Sequence, residues 1–193
     1  GVIVQQLKTS KFRYESLHLL PYDLDFLHHQ LKDLNHDFIT LIDQNIVSFV
    51  ETTPLYFDAI IIDLFDPASS LEMQTFMQPY FTEKLLSKLD TTGFLLTQIG
   101  DVYKQPELFK TYTDQMTLLN YGTVPYHLQI PTIGQMGWVL ASKEFSSDQL
   151  ATVLKGVRKP FTSRWWNDET MSMMMSMGKQ DYFMEKERSI NRN

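Results

Sequence analysis

Two aspartates, Asp63 and Asp66, carry the most suggestive chemistry in the chain, within the stretch Tyr56 to Pro67, YFDAIIIDLFDP. Ala59 to Ile62 is a short apolar run of the kind shown by a strand buried on both faces. Asp63 stands where that run gives out, at the carboxyl edge of the sheet, where open α/β proteins bind ligands. Asp66-Pro67 then turns the chain, because the residue before proline is pushed away from helix. Two acids so spaced on a turn can converge on one cationic group. A blander account of the same stretch stands beside this one: Asp63 caps the next helix and Asp66 only makes a turn.

The elements around this turn alternate. Glu15 to Leu20 reads as a strand, and Asp23 to Leu34 as a helix with apolar residues at 24, 27, 31 and 34 and Asp23 as N-cap. Phe38 to Ile42 is a second strand, again ending in an acid, Asp43, with a short helix over Asn45 to Glu51. After the strand at 57–63, a helix lies within Leu71 to Leu89, and Gly93 reads as its C-terminal signal. Phe94 to Gln98 is another buried strand, and Pro106 to Leu119 a helix with proline in its first turn. This alternation predicts a parallel sheet with crossover helices. The rhythm then changes: Thr123 to Ile130 and Gly137 to Ser142 are strands with only a short link, hence an antiparallel hairpin, followed by a helix over Ser146 to Lys155. Residues 2–8 fit either helix or strand.

Composition is that of an ordinary globular chain: 193 residues, 43% hydrophobic and 21% charged. No apolar run is long enough to span a bilayer. With no cysteine, disulfides and thiolate metal sites are excluded. A formal charge of −6 disfavours binding to a phosphate backbone and suits a cationic ligand.

Three stretches in order resemble the polyamine aminopropyltransferase (spermidine synthase) family, catalytic domain only. FDAIIIDLFDP is similar to the family's strand ending in Asp-x-x-Asp-Pro. GFLLTQ, Gly93 to Gln98, resembles its strand ending in Gln. IPTIGQMGWVLASK, Ile130 to Lys143, resembles its Ile-Pro-(Ser/Thr) loop and closing strand, and RWWN, Arg164 to Asn167, is a fainter echo of the segment before its last helix. The resemblance implies an α/β, Rossmann-like fold of class I methyltransferase type, with a mostly parallel sheet and a C-terminal antiparallel hairpin. It implies transfer of an aminopropyl group from decarboxylated S-adenosylmethionine to a diamine such as putrescine. By the resemblance Asp63 is the base, Asp66 holds the diamine, Gln98 lies near the sulfonium or amine, and Asp43 binds the adenine amino group. Read instead from the residues alone, Asp43 is a helix cap and Gln98 a satisfied polar strand end. No permanently bound cofactor and no metal are implied. The partners are small-molecule polyamine and nucleoside substrates rather than nucleic acid or membrane, a homodimer is allowed, and the location is cytoplasmic.

The chain also departs from the family pattern. Residues 1–193 read as a single aminopropyltransferase-like domain, with the family's N-terminal β-domain and Gly-rich loop absent. Pro21 stands nearest the position of the family's ribose-binding acid, and Ile133 replaces the Tyr after Ile-Pro-Thr. Asp101 matches an acid after Gln98 only with a one-residue shift. A second reading follows, a catalytically degenerate member acting as a binding or assembly subunit. Elsewhere, His28 and His29 are adjacent on a helix and point about 100° apart, which suits a surface rather than a shared metal. The run Met171, Met173, Met174, Met175 and Met177 reads as a helix whose flexible side chains fill a groove, more than as a copper(I) site. Trp165 and Trp166 read as core or interface anchors.

Overall fold

The computed structural model describes residues 16–20, 39–63, 75, 77–131, 134–157 and 167–177. The described residues up to Pro54 belong to one compact unit; Leu55 to Val157, with the helix beginning at Asp168, belong to another.

In the first unit, β1 (Leu17–Leu19) pairs with β2 (Ile39–Leu41) in parallel, Leu17 beside Ile39 and Leu19 beside Leu41. The ladder runs one residue further, where the Ile42 N–H donates to the Leu19 carbonyl at 2.8 Å. Parallel neighbours need a crossover between them; the helix expected at Asp23 to Leu34 lies outside the described residues, with His28 and His29. Helix α1 (Ile46–Thr52) starts where Asn45 Oδ1 accepts from the Val47 N–H at 2.9 Å. The cap is therefore Asn45, and Asp43 is not spent on that role.

The second unit holds a four-stranded sheet of order β3-β4-β6-β5. Its elements are β3 (Phe57–Ile62), α2 (Pro79–Leu86), β4 (Leu89–Asp101), α3 (Pro106–Leu118), β5 (Gly122–Ile130), β6 (Gly134–Ser142), α4 (Ser147–Gly156) and α5 (Asp168–Met174). β3 and β4 are parallel, while β6 runs antiparallel to both β4 and β5. The C-terminal hairpin thus folds back so that β6, the later strand, lies inside and β5 takes the edge. Pro125 is tolerated in β5 for that reason, since an edge strand can forgo one ladder donor. Together with the parallel strands this is the Rossmann-like, class I methyltransferase type of α/β fold.

The elements differ from their sequence expectation chiefly around Gly93. Helix α2 ends at Leu86, and β4 begins at Leu89, thirteen residues long, so Gly93 lies inside a strand rather than after a helix. A Cβ there would stand 3.0 Å from the Phe57 carbonyl oxygen and 3.2 Å from that of Asp58. The glycine serves close approach of the β3 backbone, where the β3–β4 register shifts between Phe57 and Ala59. The hairpin strands also extend beyond expectation, β6 starting at Gly134.

Helix α3 covers one face of this sheet. Its Phe109, Tyr112 and Met116 are buried, as are Leu95, Ile99 and Val139 of the strands, and Tyr112 Oη is 2.8 Å from Thr97 Oγ1. The packing is close enough to dictate a glycine at 137, where a Cβ would collide with the Phe109 ring and a Val102 methyl. Gly137→Ala should cost roughly 1–3 kcal/mol by overpacking, read as a lowered urea midpoint; an unchanged midpoint would mean that α3 is free to shift.

Candidate active site

Strand alternation and register decide which side chains meet at the carboxyl end of β3 and β4. Ile62 lies beside Thr97, on the α3 face. One step on, Asp63 follows Ile62 past the end of β3 as Gln98 follows Thr97 within β4, and alternation turns Gln98 to the other face. Gln98 pairs with Trp138 across β4 and β6, and Trp138 pairs with Tyr126 across β6 and β5. Directly paired residues share a face, so Gln98, Trp138 and Tyr126 form one row across β4, β6 and β5, and Asp63, the first residue past the end of β3, stands at its β3 end. The row spans three strand spacings, about 14 Å between its end backbones.

Each member has a distinct environment. Asp63 is exposed to solvent. Gln98 is buried, just before the β-bulge at which the β4–β6 register shifts and Gly100 takes φ 108°. Tyr126 and Trp138 are half-buried, with ring centroids 5.5 Å apart and planes at 15°, a stacked pair. Burial pushes the Tyr126 phenol well above its usual range, and the charge of Asp63 pushes it further. The phenol is therefore neutral and within electrostatic reach of the carboxylate.

Asp66 lies outside the described residues. Asp43 belongs to the first unit, is exposed and follows the end of β2, with Asn45 as the cap. Asp101, the shifted acid, is committed elsewhere. Its Oδ1 accepts from the backbone N–H groups of Tyr103 at 3.0 Å and Lys104 at 3.1 Å, and Oδ2 is 3.5 Å from Lys104 Nζ. It secures the turn into α3, as an Asx motif does.

Two of the four residues in the row were not singled out from sequence as site residues. Trp138 was visible only as part of a family-like stretch, and Tyr126 looked like any aromatic in a strand. The signal for both was the hairpin register: Ile130 opposite Gly134 makes Tyr126 opposite Trp138.

Near the row, the neighbouring β5 residue His127 anchors the C-terminal helix. Its Nε2 lies 2.8 Å from the Ser176 carbonyl, and its Nδ1 bonds the Gln135 side-chain amide. Among the methionines of that segment, Met171, Met174 and Met175 are half-buried and Met173 is exposed, the one-sided pattern expected of a helical face. Asn167 caps α5 by accepting from the Thr170 N–H at 2.7 Å. At the other end of the sheet lies an open cavity of about 320 Å³, lined by Glu83, Asp90, Tyr121 and Lys143 among others. Leu89 lies beside Phe57 and Thr97 beside Ile62, so the two ends of β4 are five steps of β3 apart, about 17 Å at ~3.3 Å per residue, farther than a short diamine reaches.

Comparison with known proteins now identifies the group. The chain belongs to the spermine/spermidine synthase family, whose domain model matches residues 23–151. It is 25% identical over 154 residues to polyamine aminopropyltransferase 2 of Aquifex aeolicus, covering 75% of this chain and 31% of that protein. It is 32% identical over 89 residues to the polyamine aminopropyltransferase of Corynebacterium efficiens, covering 46% of this chain and 17% of the relative. The chain thus spans about a third or less of these relatives. In structure it is similar to a spermidine synthase solved with the transition-state analogue AdoDATO, at TM-score 0.72 and 18% identity, covering 98% of this chain and 66% of that one. The spermidine synthase of Thermotoga maritima gives TM-score 0.65 at 18% identity, over 91% and 61%. These two likenesses establish the fold.

The turn acid supplies a pH prediction. Burial alone would raise the Asp101 pKa, but the Lys104 and Tyr103 backbone donors and the Lys104 ammonium outweigh it and hold the carboxyl below its ordinary value of 3.8. A depressed folded-state pKa stabilises the fold above the unfolded value, and that stability is lost as pH falls through the folded value. Asp101→Asn should therefore cost stability at neutral pH, with the gap to wild type closing in acid. Urea unfolding over that range reads the difference; a gap independent of pH would assign Asp101 a packing role only.

Proposed function

We propose that this chain carries out the amine-alkylation chemistry of its family, transferring an aminopropyl group from decarboxylated S-adenosylmethionine to a diamine such as putrescine. The observation that supports this most is the position of Asp63, an acid just past the carboxyl end of a parallel strand whose neighbour, β4, carries a buried glutamine at the same end. In this reading Asp63 holds the attacking amine by charge-assisted hydrogen bonding and accepts its proton. The amine nitrogen bonds to the carbon beside the sulfonium, the carbon–sulfur bond breaks, and methylthioadenosine leaves with the electron pair. Gln98 supports the sulfonium end or the amine, and Asp66 takes the diamine. Asp43 receives the adenine amino group. No metal or permanently bound cofactor takes part, and a cytoplasmic location goes with such substrates.

A rival reading, a family member that keeps the fold as a binding or assembly subunit, draws on Pro21 and Ile133, where the resemblance implies an acid and a tyrosine. The two part on one assay, release of methylthioadenosine from decarboxylated S-adenosylmethionine and putrescine. The enzyme reading expects release by the wild-type chain and a loss of about 10²–10⁴-fold in Asp63→Asn, the scale of a lost general base, with the melting temperature nearly unchanged. Full activity in Asp63→Asn, or none in wild type, would overturn it.

A further inference from the structure

We propose that the stacked Tyr126–Trp138 pair is the wall against which the amine substrate lies, and that the Tyr126 hydroxyl receives the far ammonium of a diamine whose near amine rests on Asp63. This assignment rests on the amine-transfer reading above and extends it to two residues outside the family-like acid motif. Three observations carry it. First, the hairpin register puts both rings on the face of Gln98, next to the end of β3 that Asp63 follows. Second, the rings are stacked and neither is fully buried, so part of the pair is reachable from solvent. Ring faces attract ammonium groups and at the same time cover a methylene chain. Third, Asp63 and the phenol feel each other electrostatically. A neutral phenol oxygen keeps lone pairs that can accept from an ammonium N–H.

The geometry assigns a division of labour. Asp63 at one end of the row provides full charge, the rings provide apolar cover, and the phenol oxygen at the other end provides one neutral acceptor. Such a site favours a cation at both ends of a short carbon chain over an amine charged at one end only.

The test uses 1,4-diaminobutane and butylamine, which differ by the far ammonium, with calorimetric affinities for wild type, Tyr126→Phe and Trp138→Leu. Tyr126→Phe keeps the ring and its stacking and removes only the hydroxyl. It should weaken 1,4-diaminobutane by about tenfold, the scale of one hydrogen bond to a charged group, and leave butylamine unchanged. Trp138→Leu should weaken both amines. Circular dichroism that overlays wild type confirms that each variant is folded, and Tyr126→Phe alone is decisive if Trp138→Leu is not. A Tyr126→Phe protein that binds 1,4-diaminobutane as wild type does, or loses both amines equally, overturns the inference while leaving the amine-transfer reading intact. A wild-type chain that binds neither amine overturns both.

Discussion

The antiparallel pairing of β6 with β4 is the constraint from which most of this structure follows. It brings a strand from late in the chain against the parallel pair and leaves β5 as the edge. On one face it assembles Leu95, Thr97 and Val139 under helix α3, with the Thr97–Tyr112 hydrogen bond among buried apolar groups. On the other face it fixes Trp138 beside Gln98, and through the hairpin it fixes Tyr126 as well. Since side chains alternate with period 2, a slip of one residue would send the two rings to the α3 face and break core and site together. The site row and the hydrophobic core are thus two consequences of one register.

The same register explains where flexibility of residue type ends. A side chain at Gly137 would press on the Phe109 ring and Val102, and one at Gly93 on the carbonyl oxygens of β3. The bulge at Gly100 ends the regular ladder just past Gln98, and Asp101 closes the following turn with its own carboxylate. An acid that caps a turn is not free to serve an amine.

Much of this architecture was legible in the sequence. The proline at the start of α3 and the two strands joined by a short link declare themselves locally, because local pattern and final structure agree there; the apolar run at Ala59 to Ile62 is a strand too, but with Ile61 45% exposed and only Ile62 buried it is not buried on both faces. The alternation of elements pointed to the class of fold, and the family came from the resemblance of FDAIIIDLFDP, GFLLTQ and IPTIGQMGWVLASK to its motifs. The start of β4 was not legible: Leu89 to Thr92 carries polar residues, Gly93 resembles a helix terminator, and the reason for that glycine is a contact with β3, distant in sequence. Tyr126 was missed for a related reason. Its importance comes from which residues stand opposite it, and cross-strand partners are a long-range property. At Asp43 the local reading offered two roles, and the structure removed one by showing Asn45 as the cap.

The central claim is that a small cationic amine is received by the row at the carboxyl end of the sheet. An acidic chain offers other attractions for such a molecule, notably the cavity with Glu83 and Asp90 at the far end. Side-chain nuclear magnetic resonance during titration with 1,4-diaminobutane distinguishes them in one experiment. The account predicts saturable shifts of the Asp63 carboxyl, the Gln98 amide, the Trp138 indole and the Tyr126 ring. Shifts at Glu83 and Asp90 with that row unmoved would contradict it.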